Sequence, residues 1–494
     1  MVAGVLWNAA GRGLPLLLAL ALTPMLIGQL GVERWGLFTL ALAMVGVFGV
    51  FAFGVGQALT RALSERIGVG RAAEATELVV AALAALLLVS LVVAGIVWWF
   101  VPVLVERVLL VPPALQPQAI SAMRVLTAAA PLVVVNAALW GVLAAHQRFR
   151  AANLATIPVS FFYYLGPVLV LLVWDDLTAV MLALVACRLA NTISYAWLAG
   201  PLLPGLGWRL PRLRLVAPLL KLGGWMTASG LLGQALLYAD RFLIGALLSL
   251  AAVAYYATPL DLVLRLWILP VAVAQTLLPA LASSFATLPV QTSALLRRGT
   301  LLIMVAVLPA CLLLVAGADP LLRLWLGPDF AAGGARVLQI LSVGMFFSCV
   351  AFAPNSLIDA IGRPDATALF ALAQAVVFLP LAALLLTWQG IEGAAAAWAL
   401  RCAVDCAGKF FLAARLYPAA AEAVRQVVPP LAGGGLGLAA LLLLPGLPAI
   451  LVAGGLAALA FAALAARALD AGERTALLRH PLALLRARPA GPTP

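Results

Sequence analysis

The chain has 494 residues, of which 65% are hydrophobic and 10% are charged, and its formal net charge is +12 at pH 7. This composition excludes a soluble globular protein, because a soluble core cannot bury so much apolar surface. Many segments exceed the roughly 20 apolar residues that a helix needs to cross a bilayer. The sequence therefore predicts an all-α polytopic membrane protein, since helices satisfy their own backbone hydrogen bonds in lipid.

The apolar stretches predict fourteen transmembrane helices. The N-terminal text MVAGVLWNAAGRG has neither the basic start nor the cleavage site of a signal peptide, so we expect it to begin the first helix. The predicted spans are 5–29, 36–60, 77–101, 120–145, 151–173, 177–199, 217–247, 251–283, 297–318, 333–360, 365–388, 391–414, 424–445 and 448–467.

The loop arginines predict the orientation. The loops after even-numbered spans, the span ends that flank them and the C-terminal tail carry nineteen basic residues, whereas the loops after odd-numbered spans carry only Arg34, Arg107 and Arg323. Acidic residues divide equally between the two sides. A bias in Lys and Arg alone marks cytoplasmic loops, so both termini are expected in the cytoplasm. Because topology accounts for the positive charge, no nucleic-acid partner is expected.

The sequence offers few residues that could bind a metal. The five cysteines all lie in apolar segments and are interpreted as small packing residues. Only two histidines occur, His146 and His480, and both lie outside the predicted spans. We therefore predict no metal site and no cofactor.

Four weak matches at nearly one offset indicate a tandem repeat of six helices. LIGQLGVERWGLF at 26–38 parallels LIGALLSLAAVAYYA at 243–257, and Arg188 falls opposite Arg401. An even number of helices keeps both copies in the same orientation, so their pseudo-two-fold axis would run along the membrane normal. The predicted domains are an N-terminal lobe, a cytoplasmic linker, a C-terminal lobe, two extra helices and a basic tail, at 1–200, 201–216, 217–417, 418–468 and 469–494.

Two longer stretches resemble a known family. WNAAGRGLPLLLALALTPMLIGQLGVERWGLFTLAL, followed by FGVGQALTRALSE, is similar to the opening of the bacterial polysaccharide transporters of the O-antigen flippase type. GGWMTASGLLGQALLYADRFLIGALLSLAAVAYYA resembles their seventh and eighth helices. Relatives often carry an Asp before the glycine of the second span. Here that text reads FAFGVG, so no role of that acid is transferred.

The resemblance implies the multidrug/oligosaccharidyl-lipid/polysaccharide exporter fold and a function. An undecaprenyl-pyrophosphate-linked oligosaccharide would cross the bacterial cytoplasmic membrane for O-antigen, capsule or exopolysaccharide biosynthesis. A polysaccharide polymerase and a chain-length protein are the expected protein partners, alongside membrane lipids. Some relatives are thought to couple transport to an ion gradient, and H⁺ and Na⁺ both stay open. The chain would be a transporter and not an enzyme.

Arginines inside the spans are the candidate substrate-binding residues. An ionisable side chain at the bilayer centre costs roughly 2.5 kcal/mol or more, so such residues usually face a wet cavity. Arg12 and Arg188 have no local acid, and guanidinium donates bidentately to phosphate oxygens. We predict that Arg12, Arg188, Arg265 and Arg401 line a cationic cavity for the pyrophosphate. Alternatively, Arg188 pairs with Asp261 or Asp405 across the lobes, and Arg12 extends to the interface.

Intramembrane acids are candidates for ion coupling and gating. Asp261 precedes Arg265 by four residues, and Arg401 precedes Asp405 by four, so each pair can meet on one helix face. Asp261 and Asp405 are proposed to exchange a coupling ion, with a purely structural Arg–Asp pair as the alternative. Asp240 and Arg241 are interpreted as a gate or interlobe contact.

Two other functions compete with the flippase of lipid-linked oligosaccharide. A lipid II flippase would carry a substrate with the same lipid pyrophosphate. A cation-coupled multidrug antiporter of the same fold would favour acids and aromatic residues, and the arginines without local acids argue against it.

Overall fold

A computed structural model describes residues 2–68, 72–203, 236–444 and 446–468. All regular structure in these ranges is helical. The α-helices are α1 Val2–Gly68, α2 Ala72–Val103, α3 Gln116–Ala128, α4 Ala130–Ala145, α5 Phe149–Leu171, α6 Leu177–Ala199, α7 236–247, α8 Leu250–Leu264, α9 Ile268–Ser284, α10 Pro289–Leu326, α11 Pro328–Val350, α12 Phe352–Ala360, α13 Pro364–Leu416, α14 Ala421–Leu441 and α15 Leu447–Arg467. Nine helical stretches of this described part are long and apolar enough to cross a membrane.

Two of the longest helices contain a sharp break at a glycine. Gly31 in α1 has φ 76°, and Gly390 in α13 has φ 60°. Both angles lie in the left-handed region, which glycine adopts without the steric cost that a Cβ brings. The breaks fall between predicted spans one and two and between predicted spans eleven and twelve. The predicted total of fourteen spans stays a prediction.

Contacts divide the chain into two compact units, residues 1–254 and 255–494. In the first unit, the second part of α1 packs against α2, α4 and the end of α6, through side chains such as Leu63, Leu78, Val142 and Tyr195. The described part of α7 belongs to this unit, because the backbone N–H of Leu110 donates to the carbonyl of Gly245 at 2.8 Å. Most of the predicted linker and the whole predicted tail lie outside the described residues.

One end of the first unit is held by polar contacts. Asp176 caps α6 by accepting a hydrogen bond from the backbone N–H of Thr178 at 3.0 Å. Gln118 of α3 donates to the same carboxylate at 2.9 Å, and this bond lowers the pKa of Asp176. Arg34, just after the Gly31 break, pairs with Asp175 at 2.6 Å. These contacts fix the start of α6 beside α1 and α3.

The core of the second unit is formed by α10, α11 and α13. Trp398 and Phe346 are fully buried there, and Gly344 of α11 lies so close to Ala399 and Trp398 that no larger residue fits. All five cysteines are unpaired thiols, and four of them are buried in this unit. The interpretation of the cysteines as packing residues agrees with this burial.

The close approach of α1 to the start of α8 can be tested by adding a side chain at the contact. A Cβ on Gly36 would collide with the carbonyl of Leu250, whereas a Cβ on Gly28 would meet nothing within 4 Å. We expect Gly36→Ala to lower the free energy of unfolding by about 1–3 kcal/mol through overpacking. Gly28→Ala should leave it unchanged or raise it by about 0.5–1 kcal/mol, as alanine does in a helix. Thermal unfolding of both variants in one detergent measures the difference, and equal stability would contradict this backbone approach.

Candidate functional site

Helix α6 has two chemically different faces. Its large exposed apolar side chains, Leu182, Leu189, Ile193 and Trp197, form one stripe along the helix. At 3.6 residues per turn, Arg188, Asn191 and Tyr195 lie more than about 130° away from the centre of this stripe. The apolar stripe is suited to lipid contact, and the polar face is turned towards the interior of the unit.

Arg188 lies at the middle of the polar face, and its guanidinium group makes few hydrogen bonds. Its Nη2 donates to the Tyr163 hydroxyl at 3.4 Å, and its Cζ lies 5.6 Å from the centre of the Tyr163 ring. Its buried Nε has no hydrogen-bond partner. Among the described residues of the first unit, no carboxylate pairs with it. The guanidinium therefore keeps several donors for an anion, while cation–π attraction holds it in place.

Helix α5 presents a matching polar face to α6. Thr156 shares a 2.6 Å hydrogen bond with the Tyr195 hydroxyl, and its own hydroxyl lies 3.5 Å from the Asn191 side-chain oxygen. On the opposite side of α5, Leu154, Phe162 and Leu169 are exposed apolar residues. We call the polar set Thr156, Tyr163, Arg188, Asn191 and Tyr195 the α5–α6 seam.

Two further side chains border the seam. Asn136 of α4 donates to the Thr192 hydroxyl at 3.4 Å. The Tyr164 ring meets the Tyr163 ring edge to face, with centroids 5.5 Å apart. Asn136, Tyr163, Tyr164, Arg188 and Asn191 all remain partly exposed.

The second unit holds a polar cluster around Asp405. Lys409 pairs with one carboxylate oxygen of Asp405 at 2.8 Å, and Gln374 donates to the other at 3.0 Å. Both charged side chains are 19% exposed. The field of Lys409 also reaches Asp359, which accepts a hydrogen bond from Asn355 at 2.8 Å. Lys409 therefore pairs directly with Asp405 and acts on Asp359 only through its charge.

The Arg401–Asp405 pair that the four-residue spacing allowed is not formed, because Asp405 pairs with Lys409 instead. Helical side chains point towards the N-terminus of their helix, so the long Lys409 side chain reaches back to Asp405. The side chain of Arg401 points away from Asp405, and an acid placed N-terminal to its base is the better arrangement. Arg401 lies instead over the Phe378 ring, 5.3 Å from its centre, and its buried Nε has no partner.

The expected pair of Asp261 and Arg265 is not formed either. The α-helix ends at Leu264 and the chain continues as a 3₁₀ turn over Arg265–Trp267. A 3₁₀ turn has three residues per turn, which moves Arg265 off the face of Asp261. Trp267 holds this turn by donating to the Ser348 hydroxyl at 3.0 Å. Arg265 is exposed and has no ion pair in the part of the chain that the structure describes.

The remaining predicted site residues have different positions. Asp240 and Arg241 are 1% and 2% exposed, and the Arg241 side chain lies over Tyr238, 5.0 Å from the ring centre. The Asp240 carboxylate accepts from the backbone N–H of Arg241 at 2.9 Å. Their role as a gate stays a prediction. Arg12 lies in α1, and its side chain is outside the described residues.

Three features of the site were not predicted from the sequence. Sequence reasoning suggested Arg401 as the partner of Asp405, although the Asp405 to Lys409 order was the signal that favours Lys409. It did not select Gln374 and Asn355, the amides that bond the two acids. It also passed over Asn136 and Asn191, polar residues in otherwise apolar helices. Within the described residues, no group of three His, Cys, Asp or Glu side chains is placed to hold a metal.

Comparison with known proteins gives the family. The sequence profile described as polysaccharide biosynthesis protein matches residues 1–285. The chain belongs to this family. A protein of Shigella flexneri to which O-antigen transport is assigned is 26% identical over 410 residues, covering 81% of this chain and 94% of its own length. The resemblance found in the sequence is confirmed.

Solved structures similar to this family member confirm the fold. A lipid II flippase, MurJ, in an inward closed conformation matches with a TM-score of 0.73 at 12% identity, over 94% of this chain and 99% of its own. An inward-facing multidrug transporter of the MATE family, in the MOP superfamily, matches with a TM-score of 0.71 at 14% identity, over 82% of this chain and 94% of its own. The chain is thus an integral membrane protein with a transporter fold, and it belongs to a transporter family of the polysaccharide flippase kind, not to an enzyme family.

The two bases on either side of Asp405 provide a test of the cluster. We expect Lys409→Met to lower the free energy of unfolding by about 1–3 kcal/mol, because it leaves the largely buried Asp405 carboxylate without its ion pair. Arg401→Met should have less than half that effect, since Arg401 makes no ion pair within the described residues. Thermal unfolding in detergent at pH 7 compares the two variants. The reverse order of stabilities would show that Arg401 is the partner of Asp405.

Proposed function

We propose that this family member is a flippase for an undecaprenyl-pyrophosphate-linked oligosaccharide. It would move this lipid from the inner to the outer leaflet of the bacterial cytoplasmic membrane by alternating access, for cell-surface polysaccharide biosynthesis. The family, the relative with assigned O-antigen transport and the fold shared with a lipid II flippase support this proposal. A polysaccharide polymerase and a chain-length protein are the proposed partners on the product side.

The proposed substrate is inferred from one observation, the surroundings of Arg188. A guanidinium in an apolar helix is costly unless it meets water or an anion. Within the described part of the first unit, Arg188 has one long hydrogen bond to a neutral hydroxyl and no acid pairs with it. A pyrophosphate would supply the missing negative charge and accept several N–H donors at once.

The other arginines extend the proposed cationic cavity. Arg401 in the second unit, like Arg188 in the first, is held by an aromatic ring rather than by an acid. Both therefore keep donors for phosphate oxygens. Arg265 is exposed, and Arg12 is retained on its sequence position alone. Two six-helix lobes enclosing one cavity, fourteen spans and cytoplasmic termini complete the proposed architecture, with the breaks at Gly31 and Gly390 as support for the span count.

Asp405 is the proposed site of ion coupling, with Asp261 as the second candidate. The Asp405 carboxylate is paired with Lys409 at 2.8 Å and accepts a hydrogen bond from Gln374 at 3.0 Å. Binding of H⁺ or Na⁺ at Asp405 would release Lys409 from this ion pair. Asp240 and Arg241 are consecutive residues and both are buried. They are proposed to act in gating.

The substrate role of Arg188 can be tested in cells. In a strain lacking this protein, we expect one undecaprenyl-pyrophosphate glycan to accumulate, as measured by mass spectrometry of extracted lipids. Arg188→Gln should clear it at least about tenfold more slowly than the wild type, since hydrogen bonds to charged groups contribute about 1.5–3 kcal/mol. Arg124→Gln is the matched control, because Arg124 also lies over an aromatic ring, Trp98, and also has an unpartnered Nε.

Other outcomes would redirect the assignment. Accumulation of lipid II alone would indicate a lipid II flippase. No accumulation of any lipid-linked glycan, in a strain without a second transporter of this kind, would exclude the flippase and favour drug export. Equal loss in Arg188→Gln and Arg124→Gln would remove the special role of Arg188.

Ion coupling is tested with the purified protein in proteoliposomes. We expect a proton or sodium gradient to accelerate translocation of the lipid-linked glycan, and Asp405→Asn to abolish this acceleration while translocation without a gradient persists. Asp319→Asn is the control, since Asp319 forms an exposed pair with Arg323 on one helix. A wild-type protein insensitive to both gradients would refute the coupling, as would a gradient response retained by Asp405→Asn.

A further inference from the structure

The α5–α6 seam contains more hydrogen-bonding capacity than the first unit uses. The Asn191 side-chain amide makes one contact, the 3.5 Å approach of Thr156 to its oxygen, and its NH₂ group has no partner among the described residues. Asn136 uses only its NH₂ group, in a 3.4 Å bond to Thr192. The Tyr164 hydroxyl has no hydrogen bond within the described part of the chain. Each of these three side chains is partly exposed.

Asn191 and Tyr164 lie away from the main exposed apolar stripes of their helices. On α6, Asn191 lies opposite the exposed stripe that includes Leu189 and Ile193. On α5, Tyr164 lies about 140–160° around the helix from the exposed side chains of Phe162 and Leu169. Unsatisfied amide and hydroxyl groups are costly in hydrocarbon, and so their exposed surface must face water or a polar ligand. The exposed part of the seam therefore marks the wall of a wet cavity.

The spacing connects this wall to the guanidinium. Asn191 follows Arg188 by three residues, which corresponds to a rise of about 4.5 Å along the helix. A group bonded directly to a phosphate on Arg188 would therefore lie beside Asn191. The unused groups offer donors and acceptors together with one aromatic ring. This combination suits a ligand rich in hydroxyl groups with apolar ring faces, such as a sugar, better than a second phosphate, which only accepts hydrogen bonds at neutral pH.

We propose that Asn191, Asn136 and Tyr164 form a glycan subsite next to Arg188, which recognises the sugar bonded to the pyrophosphate of the transported lipid. This inference rests on the proposed function and deepens it by separating the two recognition tasks. Arg188 binds the charge that all such lipids share. The amides and Tyr164 bind the sugar, whose hydroxyl pattern differs from one glycan to another.

Two buried residues, one in the seam and one beside it, hold this subsite in place. Tyr195 is 4% exposed and bonds Thr156 at 2.6 Å, so it joins α5 to α6 without access to a ligand. Thr192 is also buried, and its hydroxyl donates to the carbonyl of Arg188 at 2.9 Å while accepting from Asn136. These two residues are positioning residues for the partly exposed amides.

The test compares two lipids on the full-length protein in detergent. One is undecaprenyl pyrophosphate without sugar, and the other is the undecaprenyl-pyrophosphate glycan extracted from the deletion strain, with binding followed by native mass spectrometry. We expect Asn191→Leu to weaken binding of the glycan lipid about tenfold and to change binding of undecaprenyl pyrophosphate less than twofold. Arg188→Gln should weaken binding of both lipids. Asn191→Ala provides a second variant if the leucine variant does not fold.

Gln116→Leu is the matched control for structural damage. It removes an amide hydrogen bond, from Gln116 to the carbonyl of Val111 at 3.2 Å, outside the seam, and it should leave the affinity for both lipids within twofold of the wild type. Equal weakening of both lipids in Asn191→Leu, or no weakening of either, would overturn the glycan subsite while leaving the role of Arg188 intact. A wild-type protein that binds neither lipid would instead refute the proposed function itself.

Discussion

A guanidinium inside an apolar helix needs a partner, because the bilayer core supplies no hydrogen bonds of its own. Among the described residues, two of the arginines proposed to bind substrate are held by aromatic rings. Arg188 lies beside Tyr163 in the first unit, and Arg401 lies over Phe378 in the second. An aromatic face attracts a cation without neutralising it. The arginines are therefore positioned but keep their charge for an anion, and the proposed substrate chemistry depends on this.

Asp405 in the second unit has the opposite arrangement, because a charged partner neutralises it. Asp405 has both carboxylate oxygens engaged, one by Lys409 and one by Gln374. An acid with this many partners is ill suited to bind substrate directly, but it can release a partner when an ion binds. The two units thus place different chemistry at their polar centres, with unused donors around Arg188 and a saturated ion pair around Asp405.

Helix packing around these centres relies on small residues. Gly36 lets α1 approach the start of α8 backbone to backbone, and Gly344 does the same for α11 against α13. In lipid, close approach of this kind replaces the hydrophobic driving force that packs soluble helices. Gly31 and Gly390 have a different task, because their positive φ angles break α1 and α13 where the chain must change direction.

The helical membrane architecture, the family and the candidate arginines can all be read from the amino-acid sequence. Lipid offers the backbone no hydrogen-bond partners, so long apolar segments form helices, and a charged residue within such a segment is easily recognised. The partners of the charged side chains depend on how the helices pack. Spacing by four residues suggested Arg265 for Asp261 and Arg401 for Asp405, but a 3₁₀ turn displaced the first base and side-chain direction gave Asp405 to Lys409. Spacing along one helix likewise could not show that Tyr163, on another helix, accepts a hydrogen bond from Arg188. Nor could it show that the Asn191 NH₂ group has no partner among the described residues, because both depend on how α5 and α6 pack.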